Sequence, residues 1–331
     1  MTAFDFSTLQ PDLIIDALQQ LGLDVSSGLL ALNSYENRVY QFSAYRADAV
    51  RPDKFVVKFY RPQRWSTPQL QEEHDFAFEL AAADIPVVAP LQIGGRSLLQ
   101  YGGYHFAVFP SRGGRTLEID NDDQLAMLGR FLGRMHQVGK AKAFTQRPAF
   151  SIESHLLQSR EVLQSLEFIP DYIRPAFDTA LNQVIELAAK QYKPAQQIRL
   201  HGDCHAGNLF YVDEGPFFVD LDDCRSGPAI QDIWMMLSGD RLQQRDTLEL
   251  MLEEYEQYCE FDPAELKLIE PLRAMRMVHY MAWLARRWQD PAFPMNFPWF
   301  ATDKYWEQQC IALKEQLFCL QQVPLSLVPD Y

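Results

Sequence analysis

Arg199-Leu200-His201-Gly202-Asp203-Cys204-His205-Ala206-Gly207-Asn208, followed by Phe217-Phe218-Val219-Asp220-Leu221-Asp222-Asp223, orders the rest of the chain around it. It reads as a short apolar strand, a polar loop with two glycines, a hairpin, and acids after an apolar run. These strand-like pieces, at about 198–200, 209–212 and 217–221, interrupt a second half that is otherwise helical in period. Helical patterns are expected at about 121–138, 151–163, 170–192, 241–259 and 263–288. Upstream of Pro110 the texture is different. Pro11 opens an amphipathic helix with Leu13, Ile14, Ala17, Leu18 and Leu21 on one face, stopped at Gly22. β-branched and aromatic residues then mark strands at about 28–34, 37–44 and 54–60. Thr67 is expected to cap a helix with Pro68 in its first turn, running to about Ala83. Gly102-Gly103 is expected to join strands 96–101 and 104–109 as a hairpin. The fold class is therefore α+β, with a β-rich lobe at 1–109 and a helical lobe at 110–331.

The chemistry of the opening stretch is specific. His201, Asp203 and Asn208 have the spacing H-x-D-x-x-x-x-N, with Asn208 five residues after Asp203. Phosphoryl transfer explains these residue types: a carboxylate meets the attacking hydroxyl, an amide oxygen helps hold Mg²⁺, and a second carboxylate bridges metal and phosphates. Asp203, Asn208 and Asp220 fill these places in order. Of Asp220, Asp222 and Asp223, Asp220 is favoured for the metal because it ends the apolar strand, and Asp222 is the reserve. Zinc bound by His201, Cys204 and His205 is disfavoured: the i,i+4 histidines suit a helix, whereas Gly202 and Gly207 do not. His201 is expected to hold the loop, Cys204 to pack, and Asp232, at the start of an apolar helix, to support the loop backbone.

Phosphates also need a cation. Lys58 lies mid-strand in Val56-Val57-Lys58-Phe59-Tyr60, where an unpaired charge is costly. The helix after it offers Glu72 and Glu73. Glu73 has Phe76, Ala77, Leu80 and Ala81 at its helical neighbours, so it sits on the apolar stripe and is favoured as the partner of Lys58. The turn that would cover phosphates, Asn33-Ser34-Tyr35-Glu36-Asn37-Arg38-Val39, has no glycine. Ser34 and backbone N–H groups are its phosphate contacts, and Asn37 orders the turn. His136, after Leu125, Leu128 and Leu132 on one helix face, reads as a satisfied core histidine.

Composition sets the outer limits. Acidic residues number 44 and basic 30, a net charge of −14, which opposes nucleic acid and anionic lipid as partners. Five scattered cysteines without a C-x-x-C pair argue against a disulfide framework. Met1-Thr2-Ala3-Phe4-Asp5-Phe6 lacks the features of a signal peptide, and no apolar run is long enough to span a bilayer. A cytoplasmic monomer is expected.

The motifs together resemble the aminoglycoside phosphotransferase/choline kinase group of the protein-kinase-like fold. The match is carried by His201-Gly202-Asp203-x-His205-x-Gly207-Asn208, by Val219-Asp220 with Gly227 seven residues on, and by Asp232. More narrowly, the chain resembles the stress response kinase A (YihE/RdoA) family of cytoplasmic serine/threonine protein kinases. The further stretches are Leu32 to Phe42, Val56 to Pro62, Leu128-Gly129-Arg130 on to His136, and Arg286-Arg287-Trp288 through Trp299. The resemblance implies ATP- and Mg²⁺-dependent transfer to Ser or Thr hydroxyls, with autophosphorylation and a role in stress survival. It implies Asp203 as proton acceptor, Asn208 and Asp220 as magnesium ligands, and Ser34 as an ATP contact. Lys58, Asn37 and Glu73 complete the expected nucleotide site. Two departures stand out: the aminoglycoside kinases usually have G-D-P where this chain has Gly227-Pro228, and no A-P-E segment follows Asp220. A small-molecule kinase of the same fold, with an aminoglycoside-, choline- or homoserine-like acceptor, is the alternative. A nucleotide-binding pseudokinase is opposed by the intact Lys58, Asp203, Asn208 and Asp220.

Overall fold

The computed structural model describes residues 6–46, 50–212 and 215–328. The expectation about a leader peptide falls on Met1–Asp5, outside the described residues. By packing, the chain separates into two units. One holds the described residues of Met1–Glu118 together with Phe144–Arg147 and Ala206–Cys224; the other holds Ile119–Ala143, Pro148–His205 and the described residues from Arg225 on. Where the sequence suggested one cut after Phe109, the packing places a later hairpin with the first unit.

The first unit is built on an antiparallel sheet of β1 (Asp24–Val25), β2 (Leu30–Ala31), β3 (Arg38–Tyr45), β4 (Asp53–Phe59), β5 (Leu99–Tyr101) and β6 (Tyr104–Pro110). Its order is β1-β3-β4-β6-β5, with β2 also on β3. The expected strand at 28–34 shrinks to two residues. The period-2 pattern of β4 decides its two faces: Phe55, Val57 and Phe59 enter a core with Phe42, Phe106 and Val108, covered by Ile14 and Leu18 of α1 (Pro11–Gln19). Lys58 and Tyr60 point the other way, and Tyr60 packs with Leu70 of α2 (Thr67–Ala82). Ser66, not Thr67, caps α2: its hydroxyl accepts from the Gln69 N–H, and the Gln69 side chain accepts from the Ser66 N–H. The β5–β6 turn needs positive φ twice, and Gly102 (+55°) and Gly103 (+88°) supply it. A second small sheet pairs β7 (Arg115–Thr116), β9 (Leu209–Val212) and β10 (Gly215–Phe218). Phe218 also bridges Val87, which ties the hairpin into this unit.

The second unit is helical: α3 (Asp122–Ala141), a π-helical turn at Glu153–Leu157 running into α4 (Gln158–Gln164), α5 (Arg174–Gln191), α6 (Arg241–Tyr255), α7 (Ile269–Arg287), α8 (Ala292–Asn296) and α9 (Asp303–Gln321). A two-stranded ribbon of β8 (Ile198–Leu200) and β11 (Arg225–Gly227) runs through it. α9 was not anticipated from the sequence. Asp232 lies in a 3₁₀ turn, Ala229–Asp232, and not in a helix, because Pro228 and the following tight turns leave no room for one. α3 and α6 approach so closely that a Cβ at Gly129 would sit 2.2 Å from the Met251 carbonyl oxygen. Gly129→Ala is therefore expected to cost about 1–3 kcal/mol by forcing the helices apart, read as a lowered Tm in thermal denaturation. Among the described residues no helix is long and apolar enough to cross a membrane.

Candidate active site

In the first unit, Lys58 is the centre of a buried ion cluster. Its Nζ lies 2.9 Å from Asp220 Oδ1, 3.1 Å from Asp222 Oδ1 and 3.7 Å from Glu73 Oε1. β4 brings the lysine, α2 brings Glu73, and the turn after β10 brings the two aspartates. Burial works against charge on Lys58, but Asp220, Asp222 and Glu73 more than offset it and hold its pKa above the usual range. Glu73 is pushed up to about 7 by burial, with Asp222 and Asp220 adding to it and Lys58 and Arg147 opposing. Glu72, the other acid weighed from the helical pattern, faces elsewhere. It accepts N–H bonds from Thr145 (2.6 Å), Gln146 (2.9 Å) and Arg147 (2.7 Å).

The two aspartates differ in kind. Asp222 is buried, and its two oxygens differ: Arg64 pairs with Oδ2 and Asn37 Nδ2 donates to the same oxygen at 3.1 Å, whereas Oδ1 faces Lys58 Nζ and accepts no hydrogen bond. Burial disfavours its charge, yet Arg64 and Lys58 hold it down at about 2. Asp220 is half exposed at its side chain and stands in the left-handed region with φ +61°. A non-glycine residue rarely adopts that backbone, and such strain persists where the surroundings fix it. β10 ends at Phe218, so Asp220 lies two residues beyond the strand, after Val219, rather than closing it. Asn208 closes the turn Ala206–Asn208 on the other arm, and its carbonyl accepts from Val219 N–H at 3.1 Å.

Sequence reasoning missed Arg64 and Arg147. Arg64 also pairs with Asp223 at 2.8 Å, and Arg147 donates to the Asp222 carbonyl at 2.6 Å and lies 3.5 Å from Glu73. The surplus of acids was the available signal: Glu73, Asp220, Asp222 and Asp223 cannot be buried together on one lysine. The glycine-free turn is fixed by arginines. Arg61 Nε donates to the Glu36 carbonyl at 2.9 Å, its N–H donates to Asn37 Oδ1 at 3.0 Å, and Ser34 of the same turn is half-buried. Both ends of the Asn37 amide are thus engaged within the protein, which makes it the residue that orders this turn.

In the second unit, the loop after β8 carries Asp203. Its carboxylate pairs with Arg276 of α7 and lies 3.5 Å from His205 Nε2. Burial opposes ionisation, but the His205 hydrogen bond and the Arg276 guanidinium hold the carboxyl well below the usual range. The loop backbone is fixed by Asp232, which accepts from His201 N–H and Gly202 N–H, each at 2.8 Å. His136 Nε2 lies 3.2 Å from the same carboxylate and its Nδ1 2.9 Å from the Tyr255 hydroxyl, so this histidine is a satisfied core group. Asp203 N–H points to His201 Nδ1 at 3.4 Å. Cys204 is fully buried, and burial raises its thiol pKa well above the usual value, which suits packing and not nucleophilic attack. Arg276 was also missed; it is 73 residues from Asp203 and nothing local announces it.

Among the described residues no three His, Cys, Asp or Glu side chains form a metal cage. The donor set does fit a hard cation that keeps water and phosphate oxygens as ligands: Asp220 is a half-exposed carboxylate engaged by a single ammonium, and Asn208 offers an amide oxygen.

Residues 29–269 match the model of the phosphotransferase enzyme family (APH). The chain is 52% identical over 333 residues to the serine/threonine protein kinase RdoA of Salmonella typhimurium, covering 99% of each chain. It is 51% identical over 331 residues to stress response kinase A of Escherichia coli K12, covering 100% of this chain and 99% of that one. A structure of the amicoumacin kinase hAmiN in complex with AMP-PNP, Ca²⁺ and Ami superposes with a TM-score of 0.70 at 19% identity, covering 95% of each chain. The chain belongs to the phosphotransferase enzyme family and, within it, to the stress response kinase A group.

Proposed function

We propose that the protein is an ATP- and Mg²⁺-dependent serine/threonine protein kinase of the cytoplasm, acting as a monomer in stress response and able to phosphorylate itself. The observation that carries phosphotransfer is Lys58 held between Glu73 and Asp220. The protein hydroxyl as acceptor is supported by full-length identity of about one residue in two to relatives named as such kinases. In this reading 1–109 is the nucleotide-binding lobe and 110–331 the catalytic and substrate lobe. Lys58, positioned by Glu73, takes the phosphates, with Ser34 and the Asn37-ordered turn beside them. Asn208 and Asp220 hold Mg²⁺, which when bound neutralises charge on the phosphates. Asp203, ionised and weakly basic beside Arg276, orients the acceptor hydroxyl and takes its proton late in the transfer.

Incubation with γ-labelled ATP, Mg²⁺ and a panel of protein and small-alcohol acceptors, followed by phosphoamino-acid analysis, tests this. Label on serine or threonine is expected; turnover confined to a small alcohol overturns the protein-kinase reading. The two aspartates separate in a second experiment. Asp220→Ala is expected to stay folded and to lose the Mg²⁺ dependence of ATP affinity in calorimetric titration. Asp222→Ala is expected to lower Tm, because it removes a buried partner of Lys58 and Arg64 and strands the Asn37 amide N–H. Unchanged Mg²⁺ dependence in Asp220→Ala would move the metal to Asp222.

A further inference from the structure

The chain on both sides of Phe144–Arg147 packs in the second unit, but this short segment packs in the first. Glu72 of α2 holds it there, accepting the N–H groups of Thr145, Gln146 and Arg147 at 2.6, 2.9 and 2.7 Å. The Arg147 side chain is wholly buried, with its guanidinium 4.2 Å from the centre of the Trp65 ring. Its Nε donates to the Cys224 carbonyl at 3.0 Å. Its Nη2 donates to the carbonyls of Leu221 at 3.2 Å and Asp222 at 2.6 Å, and lies 3.5 Å from Glu73 Oε2. A buried guanidinium is costly unless acceptors surround it, and here the acceptors are a glutamate of α2 and backbone oxygens of one turn.

Those oxygens belong to the 3₁₀ turn Leu221–Asp223 and to Cys224 after it, and Asp220 is the residue that enters the turn. Carbonyl oxygens gathered around one point repel one another unless a cation stands there. The flat fork of an arginine reaches all three, which the single ammonium of a lysine does not. Pinning them fixes where the turn lies and how it faces, and with it the backbone of Asp220, held at φ +61°. The Asp220 carboxylate itself is paired with Lys58. In the reading above that lysine takes the phosphates, so a different group has to keep Asp220 aimed at the metal.

We propose that Arg147 is the positioning residue of the metal site: it fixes the turn that presents Asp220, and its own place is set by α2 through Glu72 and Glu73. The same helix positions Lys58 through Glu73, so the cation for the phosphates and the carboxylate for the metal take their places from one element. A shift of α2 moves both together. The inference rests on Asp220 as a magnesium ligand and adds what holds that ligand in place.

The test is calorimetric titration of ATP into the full chain at a series of Mg²⁺ concentrations, for the wild type, Arg147→Lys, Glu72→Gln, their double variant and Asp220→Ala. Arg147→Lys keeps the charge and loses the fork. It is expected to raise the Mg²⁺ concentration that half-tightens ATP binding by about tenfold, the scale of a lost charged hydrogen bond, while metal-free ATP affinity changes less. Glu72 is only partly buried, and its amide replacement turns one acceptor oxygen into a donor facing the Gln146 and Arg147 N–H groups. Glu72→Gln is expected to shift the Mg²⁺ requirement the same way by about threefold. The double variant is expected to be no worse than Arg147→Lys, because both changes act through one guanidinium. Thermal melts run beside each titration. Should Arg147→Lys fail to fold, the Glu72→Gln shift decides. A folded Arg147→Lys with a lowered Tm and the wild-type Mg²⁺ requirement overturns the inference, since the arginine then serves the fold alone, and leaves Asp220 as metal ligand standing. A Glu72→Gln protein with the wild-type requirement overturns the link to α2. Unchanged Mg²⁺ dependence in Asp220→Ala overturns both the inference and the reading beneath it.

Discussion

Asp203→Asn is expected to slow phosphoryl transfer by about 10²–10⁴-fold, the usual cost of losing a positioned general base, with ATP affinity and fold retained. The side chain is nearly isosteric, so what disappears is charge. Arg276 is well exposed and can take water in place of the carboxylate, so the loss of the pair leaves no stranded buried cation. The loop itself is held by Asp232 through the His201 and Gly202 N–H groups, which the substitution does not touch. The acid stability of the protein should change in a defined sense. Asp203 is depressed below its ordinary pKa of 3.8 in the folded state. Its stabilisation is therefore present above about pH 3.8 and is lost as pH falls below it. The Asn variant lacks this term, so its stability should fall less on acidification. Single-turnover transfer assays, calorimetric ATP titration and acid melts check the three parts. Near-wild-type turnover would remove Asp203 from the reaction.

Those parts of the fold that depend on local chemistry were legible in the sequence. Alternation in β4 put Lys58 on the face opposite Phe55, Val57 and Phe59, and helical spacing in α2 separated inward Glu73 from outward Glu72. The two glycines at 102–103 announced their hairpin because only φ above zero closes a two-residue turn. Contacts set by tertiary packing were not legible. Ser66 rather than Thr67 caps α2, a choice between neighbours that both carry hydroxyls. β7 and β11 are too short to show a period, and α9 lies in a stretch whose apolar residues compete with polar ones at every turn. Arg64, Arg147 and Arg276 reach their acids across 73 to 159 residues of chain, so no window contains both partners. The glycine-free turn at 33–37 is explained in the same way. Its rigidity comes from Arg61 and Asn37, and a conformation fixed by side chains does not need the freedom that glycine gives.

The largest expected effect on stability follows from removing the central cation. Lys58→Met leaves Glu73, Asp220 and Asp222 facing one another, with Glu73 and Asp222 buried. Breaking a buried pair from one side costs about 3–5 kcal/mol, and it should do so here near neutral pH. The pH sense is fixed by Glu73. Its folded pKa of about 7 lies above the ordinary 4.5, so the folded state binds more proton between these values. Its contribution to stability is complete below about pH 4.5 and is lost as pH rises through 7. Without Lys58 the carboxyl rises further, so the deficit of the variant should grow from pH 5 to pH 8. Asp222 runs the other way, held at about 2 against 3.8, and its stabilisation fades as pH falls between those values. The window from 5 to 8 therefore reports Glu73. Adding Glu73→Gln should restore part of the lost stability, since it removes the acid that Lys58 had neutralised, and the non-additivity of the pair in a double-mutant cycle measures their coupling. ATP affinity should not recover in the double variant, because the cation proposed to meet the phosphates is still missing. Urea melts at pH 5 and pH 8 and calorimetric titration separate the two roles. A Lys58→Met protein equally destabilised at both pH values would mean that Glu73 is neutral in the folded state throughout, and an ATP affinity like that of the wild type would take Lys58 out of the nucleotide site.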